Sequence, residues 1–341
     1  MSAANLAIIM FLLILTGYAA RKFNIVDERF GQSLSMFLYD FVFPAIIISS
    51  MSIPSDKGDS RNFLHLILIG TFTMPVMVGL SLLGLAFIKF TRGKKSRSLT
   101  PKEGDTGLAG GLVEKKSLGD SFPGIMTFAM MFPNFTFMAY PVMEALFPDK
   151  GLLYISIYTV PVRLVIYIAG PLLVKPPSQK GVPFKEVARS AASALLTPPV
   201  IAVPIGLLVY YFNITFPAPI AATLDYLAKT ATPMGMVVTG ILLAQASLGK
   251  LFSDKRMYIF TVLRLVIAPV LVFLALYKLP LDPTVIKLSV IYSALPAAST
   301  TTVMALQYKG DASMAAGAVF LSTVFSIISI PLCAYILDFM L

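Results

Sequence analysis

Ten stretches of this chain are apolar for about 17 to 30 residues at a time, and that property removes most folds from consideration. A bilayer's hydrocarbon core, about 30 Å thick, takes roughly 20 helical residues to cross. Lipid offers no partners to backbone N–H and C=O groups, so a crossing segment of this length must be helical. The stretches fall near 4–20, 30–52, 63–88, 121–147, 151–174, 191–212, 218–247, 256–277, 284–308 and 313–337. Charged residues are only 13% of the 341, about half the share of a soluble domain, and they gather between the apolar stretches. The expectation is an all-α polytopic membrane protein of ten transmembrane helices.

The first stretch has no basic region before it and no small-residue cleavage site after it, and Arg21-Lys22 follow directly. It reads as a retained span rather than a signal peptide. Connections after odd-numbered stretches hold 19 Lys and Arg, with Arg256 at the very edge of the eighth stretch counted among them, against 4 after even-numbered ones. Basic residues stay on the cytoplasmic side, so both termini are expected outside the cytoplasmic membrane. The net charge of +10 is then a topology signal with affinity for anionic lipid, not a nucleic-acid surface.

Two polar connections organise the chain. A basic one at 89–120 reads as a cytoplasmic loop, and one at 175–190 links residues 1–174 to residues 191–341, five stretches each. An odd number of spans per half makes any repeat an inverted one. Pairs of prolines support a repeat: Pro44 with Pro233, Pro75 with Pro269, Pro133 with Pro296, and Pro171 with Pro331. Leu38 to Pro44 (LYDFVFP) and Leu227 to Pro233 (LAKTATP) also share the spacing Leu, charge, Pro, which makes Asp40 and Lys229 equivalent.

The fourth stretch contains FPNFTFMAYP, Phe132 to Pro141, and the ninth contains SALPAASTTTVM, Ser293 to Met304. Proline lacks an amide proton and crowds the carbonyl four residues back, so both helices should break there. Paired breaks in inverted halves point to a midplane substrate site. The exposed N–H groups of half-helices suit an anion, and the hydroxyls of Ser299, Thr300, Thr301 and Thr302 can replace a solute's water. Close packing of small residues would also account for that hydroxyl cluster.

Other chemistries find little support in the sequence. It has one histidine (His65) and one cysteine (Cys333), too few for a transition-metal cluster or an internal disulfide. It shows no phosphate-binding glycine loop and no nucleophile elbow. Neither an enzyme nor a cofactor is expected, and no soluble output domain marks a sensor.

The order of motifs resembles the auxin efflux carrier family, bacterial relatives of PIN-type carriers. Asn134 and Pro141 have that family's Asn-to-Pro spacing, with Ala139 where the family usually has Gly. Pro44-Ala45-Ile46-Ile47, LPAAS at Leu295 to Ser299, MALQYKGD, and FLSTVFSIISIP at Phe320 to Pro331 follow in family order. The resemblance implies two inverted five-helix repeats, with broken helices 4 and 9 crossing at their prolines. It also implies a dimerising scaffold of helices 1, 2, 6 and 7, and a six-helix transport domain moving as an elevator. Substrate-binding candidates are then Pro133, Asn134, Thr136 and Pro141 at the first break, and Pro296, Ala297, Ser299 and Thr300 at the second. The acid-lysine pair that the plant carriers place in helix 3 has no counterpart in this third stretch.

Four charges inside the stretches are electrostatic candidates: Arg163, Arg264, Asp40 and Lys229. The arginines either favour anions in the pathway or, for Arg264, snorkel toward the cytoplasmic surface. Asp40 and Lys229 either pair within the scaffold, or Asp40 is a proton or sodium site. The expected activity is secondary transport of small organic anions, carboxylates or auxin-like acids, in efflux. The alternative is a sodium-coupled symporter of the bile-acid-symporter-like group.

Overall fold

Helix is the dominant answer the backbone gives to an apolar environment, and proline decides its interruptions. The computed structural model describes residues 3–52, 59–92, 122–148, 150–174, 188–189, 192, 195–244, 255–307 and 311–341. Most of the basic connection at 89–120 and of the linker at 175–190 lies outside them. Along the chain run α1 (Ala3–Lys22), α2 (Glu28–Phe37), α3 (Phe43–Met51), α4 (Asp59–Arg92), α5 (Phe122–Met131), α6 (Tyr140–Leu146), α7 (Gly151–Tyr158) and α8 (Val160–Val174). They are followed by α9 (Pro198–Tyr211), α10 (Ala218–Ala244), α11 (Lys255–Val262), α12 (Ala268–Leu276), α13 (Pro283–Ser293), α14 (Thr300–Gln307) and α15 (Ala312–Met340). Among the described residues every apolar stretch contains helix. Four helical runs of the described residues are long and apolar enough by themselves to cross a membrane: Arg29–Met51, Arg61–Phe87, Lys255–Leu276 and Met314–Met340. Their outward faces carry bare hydrocarbon, such as Leu68, Phe72 and Leu83 on α4 and Ile328 and Leu332 on α15, a surface that lipid covers and water would not tolerate.

Three prolines are accommodated without a break. Leu38–Val42, Phe135–Ala139 and Leu263–Ile267 are π turns, and each ends two residues before a proline: Pro44, Pro141 and Pro269. Phe43 N donates to Leu38 O, and Ala268 N to Leu263 O, reaching back five residues instead of four. The wider turn makes room where the proline ring crowds the preceding turn. Pro75, Pro204, Pro233 and Pro331 lie inside α-helices instead. Pro44 and Pro233, matched in sequence, therefore sit in different local structures.

Helix ends follow recognisable chemistry. Asp27, Asp282 and Asp311 accept from Phe30 N, Thr284 N and Met314 N at the starts of α2, α13 and α15, which uses three of the chain's few acids as N-caps. After α1 and α9 the chain reads Phe-Asn-Ile both times. Asn24 and Asn213 adopt φ of 56° and 48°, the left-handed conformation that asparagine tolerates. Ile25 N then returns to Ala20 O and Ile214 N to Val209 O, both at 2.9 Å, the six-to-one closure of a Schellman motif.

Helices of the first, second, sixth and seventh stretches pack together: α1 and α3 on α10, and α9 on α3. Gly17 and Gly240 bring α1 and α10 into backbone contact, since a Cβ on either would meet Val237 O or Ile14 O at 2.0 Å. Small residues at such seams allow close packing in lipid. Elsewhere α4 packs on α5, α7 and α8, while α15 packs on α5, α11, α13 and α14.

Candidate functional site

Helix α5 stops at Met131 because Pro133 cannot continue it, and α13 stops at Ser293 ahead of Pro296. The two interruptions meet. Phe132-Pro133-Asn134 runs antiparallel to Pro296-Ala297-Ala298 in an isolated bridge. Asn134 N donates to Pro296 O at 2.7 Å and Ala298 N donates to Phe132 O at 3.1 Å. Each broken helix thus supplies partners that the other lost. All six bridge residues are buried, where an unpaired amide or carbonyl costs roughly 1–3 kcal/mol. Ser322 on α15, absent from the sequence-based candidates, accepts from Ala297 N at 3.1 Å.

The second half of the fourth stretch restarts from Asn134, whose Oδ1 accepts from Phe137 N at 3.3 Å as an N-cap. Its Nδ2 is buried without a partner. Thr136 lies within the π turn, and Pro141 is buried at the start of α6. On the opposite side of the bridge, α14 opens at Thr300 after Ser299. The Oγ1 atoms of Thr300 and Thr301 are buried and also lack partners. The crossing therefore collects spare hydrogen-bonding groups from both breaks. Gly235 of α10 faces Phe137 O, which a Cβ would meet at 3.1 Å, so α10 lies against this half-helix.

Arg163 projects from α8 and is 2% exposed. Its Nη2 donates to Tyr140 Oη at 2.8 Å, and its guanidinium lies 5.2 Å from the Phe135 ring centroid and 6.0 Å from that of Tyr140. Phe135 follows Asn134 directly, so this cation belongs to the crossing's surroundings. Its Nε and Nη1 have no partner. It also lines a cavity of about 280 Å³ between α8 and α9, otherwise walled by Val160, Leu164, Leu195, Val200, Ile201, Val203 and Pro204. A single cation in an apolar wall can hold a carboxylate while the hydrocarbon accepts its body.

Arg264 is 1% exposed and points inward from the π turn between α11 and α12. The snorkelling expectation is corrected: backbone carbonyls outcompete the distant surface. Nε donates to Leu295 O at 2.9 Å, and Nη1 donates to Met130 O at 2.6 Å with Met77 Sδ at 3.7 Å. The expected Asp40–Lys229 pair is corrected too. Lys229 binds Asp225 one helical turn away at 2.6 Å, with the two side chains 66% and 49% exposed; Asp40 is exposed on the second stretch's π turn. An i, i+4 neighbour on the same helix is always within reach, whereas a partner on another helix depends on register. Glu144, at the end of the fourth stretch, is half-buried and accepts from Thr232 Oγ1 at 2.9 Å. Tyr140 and Ser322 were missed because an apolar run hides a single hydroxyl. Their signal was that Tyr140 precedes Pro141 and that Ser322 is the serine of the Ser-Thr pair in the FLSTVFSIISIP motif.

A family profile described as membrane transport protein matches residues 118–334. An uncharacterized transporter from Methanothermobacter thermautotrophicus is 24% identical over 339 residues, covering 99% of each chain. Another, from Methanocaldococcus jannaschii, is 22% identical over 341 residues, covering 98% of each.

Proposed function

The chain belongs to the membrane transport protein family, with the auxin efflux carrier resemblance of its motifs, and from that premise we propose that it is a secondary transporter exporting small organic anions. Carboxylates and auxin-like acids are the substrate class. The observation that carries this reading is the crossing itself. Asn134 Nδ2 and the Nε and Nη1 atoms of Arg163 are buried and unpartnered, and Arg163 rests on Phe135 at the amino end of the half-helix from Phe135 to Leu146. Donors without acceptors, a positive helix end and an immobilised cation all favour a negatively charged guest.

Binding the anion would supply the acceptors these donors lack, so the loaded site is the better-satisfied one. Substrate release must restore their water or leave them bare, which limits affinity and permits turnover. The helices grouped around α10 form the scaffold and dimer interface of this reading, and the crossing with α4, α7, α8, α11, α12 and α15 forms the body that moves as an elevator. The chain's halves, 1–174 and 191–341 joined by 175–190, are its inverted repeats. The termini face away from the cytoplasm across the cell membrane.

Reconstitution tests this directly. Proteoliposomes are loaded with labelled malate, malonate or indole-3-acetate, and efflux is compared for the wild type and Asn134→Ala. At least one anion should move, and the substitution should slow it. Transport that proceeds unchanged in the variant puts the binding site elsewhere.

A further inference from the structure

The last carbonyls of a helix have no intrahelical donors, and its carboxyl end carries the equivalent of roughly half a negative charge. The crossing brings two such ends together. Helix α5, of 10 residues, and α13, of 11, both terminate there, so about one full negative charge converges on a buried point. Two carbonyls mark that point, Met130 O at the end of the first half-helix and Leu295 O just beyond the second. In transporters built on discontinuous helices, carboxyl ends and unwound carbonyls of this kind are the groups that coordinate a sodium ion.

Here the carbonyls already have a cation. Arg264 donates to Leu295 O at 2.9 Å and to Met130 O at 2.6 Å. One guanidinium supplies one positive charge to two ends of about half a unit each, so the local charge balances without a carboxylate. Tyr158 and Tyr292 lie within electrostatic reach of the guanidinium, and Tyr292 Oη is buried without a hydrogen-bond partner. Were the side chain of Arg264 removed, Met130 O and Leu295 O would be left facing a gap, and carbonyl oxygens of this kind are what hard cations take as ligands.

We propose that the Arg264 guanidinium is a tethered cation standing where two converging half-helices would otherwise take a sodium ion, so that the crossing assembles with no bound metal. The runner-up sodium-coupled reading loses its natural ion position by this substitution. The arginine also tethers α11 and α12 to both breaks, so these elements shift as one body. The inference depends on the pairing of the breaks, not on the identity of the substrate.

The experiment is thermal unfolding of purified protein in sodium chloride and in choline chloride at equal ionic strength, without organic anion. The wild type should melt at the same temperature in both salts. Arg264→Ala should melt several degrees lower in choline and recover part of that loss in sodium, since a ligand of the folded state raises its melting temperature. Arg264→Lys, keeping a tethered charge, should show no sodium effect. A sodium-specific stabilisation of the wild type, or an Arg264→Ala protein that responds to both salts alike, overturns the proposal. If Arg264→Ala cannot be purified, Arg264→Lys decides: it must fold and ignore sodium, and its failure to fold, or its stabilisation by sodium, overturns the proposal. Because no substrate enters the measurement, failure here leaves the anion-transport reading to be judged by its own efflux assay.

Discussion

Arg163 and Arg264 begin the same tetrapeptide, Arg-Leu-Val-Ile, in two apolar stretches, and both are almost completely buried. Their surroundings separate them. Arg264 commits Nε and Nη1 to the carbonyls of two helix ends, in contacts that hold the crossing together, and only its Nη2 lacks a partner. Arg163 makes one hydrogen bond to a tyrosine hydroxyl, rests against two aromatic faces and leaves two nitrogens, Nε and Nη1, unpartnered beside a cavity. A guanidinium dehydrated in a membrane protein is costly wherever it sits, so its partners reveal what the cost supports. For Arg264 that is architecture; for Arg163 it is an opening for an anion.

That contrast breaks most sharply at Arg264. Replacing it with alanine strands Met130 O and Leu295 O, and the expected loss is about 2–5 kcal/mol of stability, after allowing for the dehydration cost that leaves with the guanidinium. Chemical or thermal unfolding in detergent measures it. Arg163→Gln should do the reverse, lowering apparent substrate affinity by about 10- to 100-fold, the equivalent of one charge-assisted hydrogen bond of roughly 1.5–3 kcal/mol. Its melting temperature should move far less than that of Arg264→Ala. If both variants lose stability equally and transport equally, the division of labour between the two arginines is wrong.

Asn134→Ala sits between these cases, because its Oδ1 caps a half-helix while its Nδ2 is spare. A capping loss of about 1 kcal/mol is expected, accompanied by slower efflux. Asn134→Asp should retain the cap and still lose transport, since a second negative charge repels the substrate. The smallest effect belongs to Lys229→Ala. An exposed pair within one helix contributes little, so neither melting nor transport should change measurably, whereas a functional Asp40–Lys229 couple would show in both.

The breaks were legible because proline's missing donor is a local property: Pro133 and Pro296 can be read without knowing any neighbour. The repeated Phe-Asn-Ile at the ends of α1 and α9 was equally local and gave a clearer parallel between the halves than Pro44 with Pro233, which lie in unlike structures. The π turns were less accessible. A proline two residues on marks three of them, yet Pro75 and Pro331 sit in plain α-helix, so the deciding factor is how neighbouring helices pack. The partners of Arg264 could not be read at all, since Met130 and Leu295 contribute backbone oxygens that any residue would carry.

What the sequence alone determined was the alternation of apolar runs and basic connections, the interruption of two helices and the placing of a few costly charges among hydrocarbon. Each follows from the solvation or covalent geometry of one residue or one short stretch. Tertiary structure decided that the interruptions pair with each other, that one arginine bridges them and that another lies against aromatic rings beside a cavity. Hydrogen bonds between distant backbone groups depend on distance and direction, and those exist only once the helices have packed.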